Sequence, residues 1–210
     1  YGGEVDESAT TQIENAEQGL YDLATAGEYE GGFQAFKDSV IAAIDIATVA
    51  HNREGGLSGV GTGFRDLDSL LGGLHSSDLL ILAGRPGMGK TALATNIAYN
   101  AAYTYQHSEG REGAVVGFFS LEMSAEQLAS RILSEQSDIS SDRMRKGELA
   151  NEEFNRLSAA STTLHQIPIF IDDSPALTVS ALRTRARRLK RQNNLALIIV
   201  DYLQLLQGSN

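Results

Sequence analysis

The chain has 210 residues, 27 acidic side chains against 17 basic, a formal net charge of −10, and neither cysteine nor tryptophan. That length suits one domain of ordinary size with room for an appendage, and 42% hydrophobic with 21% charged residues excludes a disordered or collagen-like chain. Without cysteine there is no disulfide framework, thiolate–zinc site, iron–sulfur cluster or cysteine nucleophile, and the longest strongly apolar runs, such as Leu195–Val200, fall far short of the ~20 residues of a membrane helix.

Tyr1 opens the chain with no initiator methionine and no basic-then-apolar leader, which predicts no signal peptide and a piece of a longer chain. The total charge argues against a broad nucleic-acid surface, but it is unevenly spread. Residues 1–54 carry 11 acidic and 2 basic side chains, whereas 55–210 carry 16 and 15. Two units of different character are therefore expected, 1–54 and 55–210.

In the first unit, Ile13, Ala16, Leu20 and Leu23 recur at helical spacing, and Gly27 and Gly31-Gly32 interrupt the pattern. A second stripe follows at Phe33, Phe36, Val40, Ile41, Ile44 and Ala47. Such a helix either packs on its own domain or, flanked by glycines on both sides, docks on a partner. Five glycines among the nine positions from Gly55 to Gly63 mark a linker or loop.

A different rhythm begins at Asp78. Asp78–Ala83 reads as a short buried strand, Gly89 to about Gln106 as an alanine-rich helix, and Ala114–Ser120 as a second strand. A helix capped near Ser124 follows, with Glu126-Gln127 behind it. Helical patterning continues over Asn151–Leu164, then a strand over Ile167–Ile171, a basic helix over Thr178–Gln192 and a strand over Leu195–Val200. Continuous apolar strands alternating with helices predict an α/β fold, a parallel sheet flanked by helices on both faces.

The segment Gly84-Arg85-Pro86-Gly87-Met88-Gly89-Lys90-Thr91 fits G-x-x-x-x-G-K-[ST] and sits between a predicted strand and a predicted helix, the context a phosphate loop requires. Its glycines let the backbone curl so that successive N–H groups face a triphosphate, and the following helix adds the positive end of its dipole. Lys90 supplies a compact charge near the terminal phosphates, and the Thr91 hydroxyl is placed to ligate Mg²⁺.

Leu197–Asp201 is an apolar strand ending in a carboxylate, the expected metal-side partner of such a loop. Glu122 follows the second strand at the same predicted sheet edge. There it can orient and deprotonate an attacking water, or serve as an ordinary helix-start acid, and position alone does not separate the two. Gln204, three residues past Asp201, can contact the terminal phosphate and signal its presence, although its spacing favours an ordinary polar loop residue. The run Arg183, Arg185, Arg187, Arg188, Lys190 and Arg191 spreads round its helix and reads as a solvated face before a nucleic-acid contact. Asp172-Asp173, ahead of Ser174-Pro175, reads as a turn and helix start.

These motifs together resemble the bacterial replicative DNA helicases of the DnaB type. Gly84–Thr91, Ser120-Leu-Glu-Met123, Ile171-Asp-Asp-Ser174, Arg185-Ala-Arg187 and Val200-Asp-Tyr-Leu-Gln-Leu-Leu206 carry the likeness, with Thr62–Asp68 and Gly73–Asp78 similar to the start of the family's motor domain. It covers roughly residues 33–210.

The resemblance implies a RecA-like P-loop NTPase fold, partial here and preceded by a helical linker segment. Residues 1–54 would be the end of a helical N-terminal domain plus the linker helix, and 55–210 the first part of the ATPase domain. Phe33–Asn52 is similar to the linker helix that docks on a neighbouring subunit of a hexameric ring. Lys90 and Thr91 fall on the phosphate-loop lysine and magnesium hydroxyl, Glu122 on the catalytic glutamate, Asp201 on the metal-binding aspartate, and Gln204 in a motif coupling nucleotide state to DNA.

ATP and Mg²⁺ are the cofactors so implied, with 5′–3′ translocation on single-stranded DNA, unwinding of forked duplex DNA, primase and helicase-loader partners, and a cytoplasmic, nucleoid-associated setting. The family's DNA-contacting loops and arginine finger lie past Asn210. In RecA-like sheets the strand after the aspartate-bearing one inserts beside the phosphate-loop strand, so a gap is expected in the sheet of this chain, and little unwinding or hydrolysis by it alone. The alternatives are a recombinase-type, DNA-dependent RecA-like ATPase and a nucleotide-gated assembly scaffold.

Overall fold

The computed structural model describes residues 16–17, 19–20, 35–52 and 57–206. Of the first apolar stripe, Ala16 and Leu20 lie within it, helical and exposed; Ile13, Leu23, Phe33 and the 54/55 boundary lie outside the described residues.

Helix α1 (Phe36–Asn52) opens the well-described part. Its apolar residues Phe36, Val40, Ile41 and Ile44 stand exposed. The glycine-rich stretch then leads to a bridge between Val60 and Leu74 that closes a loop around α2 (Arg65–Leu71). That loop is tied from inside: the Thr62 N–H and hydroxyl both donate to the Asp68 carboxylate at 2.7 Å, and Asn100 donates to the Thr62 carbonyl at 3.0 Å.

The centre is a parallel sheet of β1 (Val115–Ser120), β2 (Ile169–Asp172) and β3 (Leu195–Asp201) in the order β2-β1-β3. Every residue of β1 is buried, as a continuous apolar run with helices on both faces demands. Helix α3 (Lys90–His107) covers one face, where Ala98, Ala101 and Ala102 pack with Val116 and Phe118. Alanine at these positions removes side-chain bulk, so the helix lies close on the sheet. The other face belongs to α7 (Val179–Asn193), whose Ala181 and Ala186 pack with Phe119 and Leu195. Alternation along β1 divides the two clusters. Between β1 and β2 run α4 (Ala125–Ser137), α5 (Ser141–Lys146) and α6 (Asn151–Leu164).

One predicted strand is not in the sheet. Asp78–Ala83 makes no ladder with any described residue, and Leu79 and Ile81 are 86% and 74% exposed. Six apolar residues in a row are strand-forming, but a strand exists only where a neighbour completes its hydrogen bonds. On the far side, β3 has β1 as its only described neighbour. Elsewhere the predicted elements shift by one or two residues: β2 starts at Ile169 rather than Ile167, β3 runs one further to Asp201, and α7 ends at Asn193. No helix among the described residues is long and apolar enough to cross a membrane.

Candidate nucleotide site at the sheet edge

The chain direction decides which ends meet. The Ala114 N–H, at the start of β1, donates to the Ala101 carbonyl in α3 at 2.9 Å. Helix α3 packs against the strands and runs back along them. From Ala101 to Lys90 it climbs about 16 Å, close to the length of the six-residue β1 at about 3.3 Å per residue. The first turn of α3 is thereby carried to the C-terminal edge of the sheet, where β1 and β3 also end.

The phosphate loop forms that first turn. Gly89 is the N-cap of α3 with φ +87° and no side-chain cap, and Gly87 has φ +78°. Both are left-handed conformations that any side chain would strain. A Cβ built on either residue meets nothing within 4 Å, so these glycines serve backbone shape rather than close packing. Uncapped N–H groups and a first turn without acidic residues leave the positive end of the α3 dipole unopposed. The Lys90 ammonium folds back over the loop, donating to the carbonyls of Gly84 at 2.9 Å and Arg85 at 3.1 Å. Arg85, Pro86 and Met88 are exposed along the loop, and Thr91 is half-buried at its end.

Asp201 ends β3 in register with Ser120 at the end of β1. It is buried, and its Oδ2 has no hydrogen-bond partner among the described residues. A buried carboxylate oxygen without a donor is costly unless something cationic meets it, so the chemistry of this donor fits a hard divalent ion shared with the half-buried Thr91 hydroxyl.

Glu122 sits in the bend that follows β1. The Leu121 N–H donates to the Asp201 carbonyl at 2.8 Å, and the Ser120 hydroxyl donates to the Met123 carbonyl at 2.6 Å, so the bend is fastened to both strands. Downstream, Ser124 and Gln127 form a capping box, and the Ala125 N–H donates to Asp173 Oδ2 at 2.8 Å. Glu122 itself is exposed, with no hydrogen bond or ion pair to any described residue. Gln204 is exposed too, in a single 3₁₀ turn, Leu203–Leu205, just past Asp201. Glu122 and Asp201 thus lie at the C-terminal edge of the sheet, with Gln204 following Asp201 in the chain, and the course of α3 carries Lys90 and Thr91 toward that edge.

The Asp172-Asp173 pair does form a turn, with a division of labour that local spacing does not disclose. Asp172, at the end of β2, accepts from Arg185 Nη1 at 2.8 and 3.1 Å and from the Ser174 N–H at 3.0 Å. Partial burial pushes its carboxyl up, but the hydrogen bonds from Arg185 and from the Ser174 hydroxyl and N–H outweigh that and hold it below the usual carboxylate range. Arg185 is therefore half-buried and structural, whereas Arg183, Arg188, Lys190 and Arg191 of the same basic run are exposed. A groove of about 220 Å³ beside Phe170, Arg188 and Leu189 lies on the α7 side of the sheet.

Comparison with known proteins follows the same lines. The family model described as DnaB-like helicase C terminal domain matches residues 59–210. The chain is 46% identical to the replicative DNA helicase DnaB of Rickettsia conorii over 99% of its own length and 43% of that protein. It is 41% identical to the replicative DNA helicase DnaB of Geobacillus stearothermophilus over 87% of this chain and 38% of that one. The chain thus spans less than half the length of these curated relatives. Among solved structures, one described as an ATPase domain superposes with a TM-score of 0.74 at 25% identity, covering 85% of this chain and 61% of that one. A DnaB-like replicative helicase, described with its interactions with primase, superposes with a TM-score of 0.71 at 26% identity over 96% of this chain and 47% of that one. The fold is RecA-like, and the chain belongs to the DnaB-like helicase family, matching the model of its C-terminal domain over residues 59–210.

Proposed function

We propose that this chain is the nucleotide-hydrolysing part of a replicative DNA helicase, an ATP-driven motor that moves 5′–3′ along single-stranded DNA and unwinds forked duplex. The observation that supports this reading is the buried Asp201 carboxylate, without a donor among the described residues, at the end of β3, whose backbone holds the segment carrying Glu122. Gly84, Gly87 and Gly89 shape the loop around the triphosphate of ATP, with Arg85, Pro86 and Met88 completing its backbone. The N–H groups at the start of α3 and the Lys90 ammonium bind the phosphate oxygens. Thr91 and Asp201 would hold Mg²⁺, which when bound neutralises phosphate charge. Glu122 takes a proton from the water that attacks the γ-phosphorus; the new P–O bond replaces the bond to the β-phosphate oxygen, and ADP and phosphate result. The free state of the Glu122 side chain supports this role, since a carboxylate committed to an ion pair would be a poorer base. Gln204, in the turn that follows Asp201, would couple the phosphate's presence to neighbouring segments.

The exposed apolar stripe of α1 supports a docking role for Phe33–Asn52 on the next subunit of a hexamer. Residues 1–54 would then be the linker region and 55–210 the motor portion. Single-stranded and forked duplex DNA would be held by parts of the protein past residue 210, with primase and a helicase loader as partners in a cytoplasmic, nucleoid-associated assembly. Forked-duplex unwinding by the full-length protein, dependent on ATP and Mg²⁺, tests the reading. ATP hydrolysis on single strands without unwinding would favour a recombinase-type ATPase instead.

A further inference from the structure

The bend that carries Glu122 is fastened at two ends, and only one fastening belongs to the nucleotide site. Upstream, Leu121 is held by the Asp201 carbonyl. Downstream, the first N–H of α4, that of Ala125, is held by the Asp173 carboxylate at 2.8 Å, across 48 residues of sequence. Asp173 is exposed. The capping box already provides for the N–H groups of Ser124 and Gln127, and Asp173 takes one of the two donors it leaves over.

What orients Asp173 is its neighbour. Asp172 is in register with Phe119 of β1 and gripped by Arg185 and the Ser174 N–H. The backbone at the end of β2 is therefore fixed, and the next side chain reaches across to α4.

We propose that Asp173 is a positioning residue for Glu122. It anchors the start of α4, so that the bend between Leu121 and Ala125 presents the Glu122 carboxylate at a fixed place over the sheet edge. With that anchor cut, the bend would keep the bonds at Leu121 and Met123 but lose its tie to the end of β2, letting Glu122 sample other positions. This rests on the reading of Glu122 as the group that activates water. Because Asp173 touches neither the phosphate loop nor Asp201, its loss slows the chemical step and spares nucleotide binding. Misplacing a catalytic group by a fraction of an ångström to one ångström lowers rates on the order of tenfold to a hundredfold.

The test uses the full-length protein and steady-state ATP hydrolysis, with nucleotide affinity and thermal melting measured alongside. D173A is expected to lower kcat about tenfold while affinity stays within about twofold and the melting temperature within about 2 °C, a small share of typical domain stability. D173N keeps a side-chain oxygen able to accept the Ala125 N–H, and should recover most of the rate. In a Glu122→Gln background, D173A should cause no further loss, since the group it positions is already disabled.

Wild-type kcat in D173A, or equal further losses in both backgrounds, overturns the positioning role. So does a parallel fall in affinity and melting temperature that D173N does not rescue. Glu122→Gln hydrolysing at the wild-type rate would instead remove the water-activation reading, and the positioning role with it.

Discussion

Ser120 and Asp201 stand in register at the ends of β1 and β3, and the Asp201 carbonyl accepts the N–H of Leu121, one residue before Glu122. One residue thus holds a buried carboxylate and, through its backbone, the segment that carries the other carboxylate. Strand pairing fixes the backbone from which both acids project. Substitutions at this edge should therefore separate binding, chemistry and stability.

Lys90 spans the loop through two exposed carbonyl contacts, and on a bound triphosphate its ammonium would make charge-assisted bonds to phosphate worth about 1.5–3 kcal/mol each. Lys90→Ala should weaken ATP binding by at least about tenfold with little change in melting temperature, because the ammonium is exposed. Titration with a fluorescent ATP analogue beside a thermal melt reads both quantities.

Asp201 points the opposite way. Its Oδ2 is buried without a donor among the described residues, which favours a neutral side chain over the carboxylate when no cation is bound. Asp201→Asn should melt at the same temperature or higher in the absence of Mg²⁺, and should lose the stabilisation that Mg²⁺–nucleotide gives the wild type. Melting curves with and without Mg²⁺–ADP check the crossover.

The Arg185–Asp172 pair gives a pH signature. Its carboxyl lies below its ordinary value when folded, so the pair's contribution is fully present above about pH 4, the unfolded carboxylate range, and is lost as pH falls through the lower folded value. The melting temperatures of wild type and Asp172→Asn should differ at pH 7 and converge as the pH drops below about 4. Arg185→Ala should cost more than Asp172→Asn at neutral pH, since it leaves a half-buried carboxylate without its cation.

The α1 stripe bears on assembly. Ile44 is 58% exposed and Ile41 59%, which suits an interface and wastes apolar surface in a monomer. If α1 docks on a neighbouring subunit, a joint Ile41→Glu and Ile44→Glu change in the full-length protein should shift sedimentation toward smaller species than the wild type while leaving its melting temperature unchanged.

Much of this is legible in the sequence for a physical reason: buried parallel strands and phosphate loops are written in contiguous residues. Val115–Ser120, Leu195–Asp201 and Gly84–Thr91 each state their role within eight positions or fewer. The features that escape depend on partners distant in the chain. Asp78–Ala83 has the composition of a strand but no described neighbour to pair with. Short α2 depends on Asp68 closing onto Thr62, a side-chain bond that hydrophobic periodicity does not register. Arg185 reads as part of a solvated basic face because Asp172 lies 13 residues upstream, and Asp173 reads as a turn acid because Ala125 lies 48 residues away.

The most direct measurement is a single substitution, Glu122→Gln, in the full-length protein, followed by ATP binding, hydrolysis and fork unwinding under the same conditions. A general base worth about a hundredfold or more should leave ATP bound as tightly as in the wild type, with hydrolysis and unwinding lost together. Hydrolysis persisting at the wild-type rate would contradict the assignment of Glu122. Unwinding that survives when hydrolysis does not would contradict the motor reading and favour a nucleotide-gated scaffold.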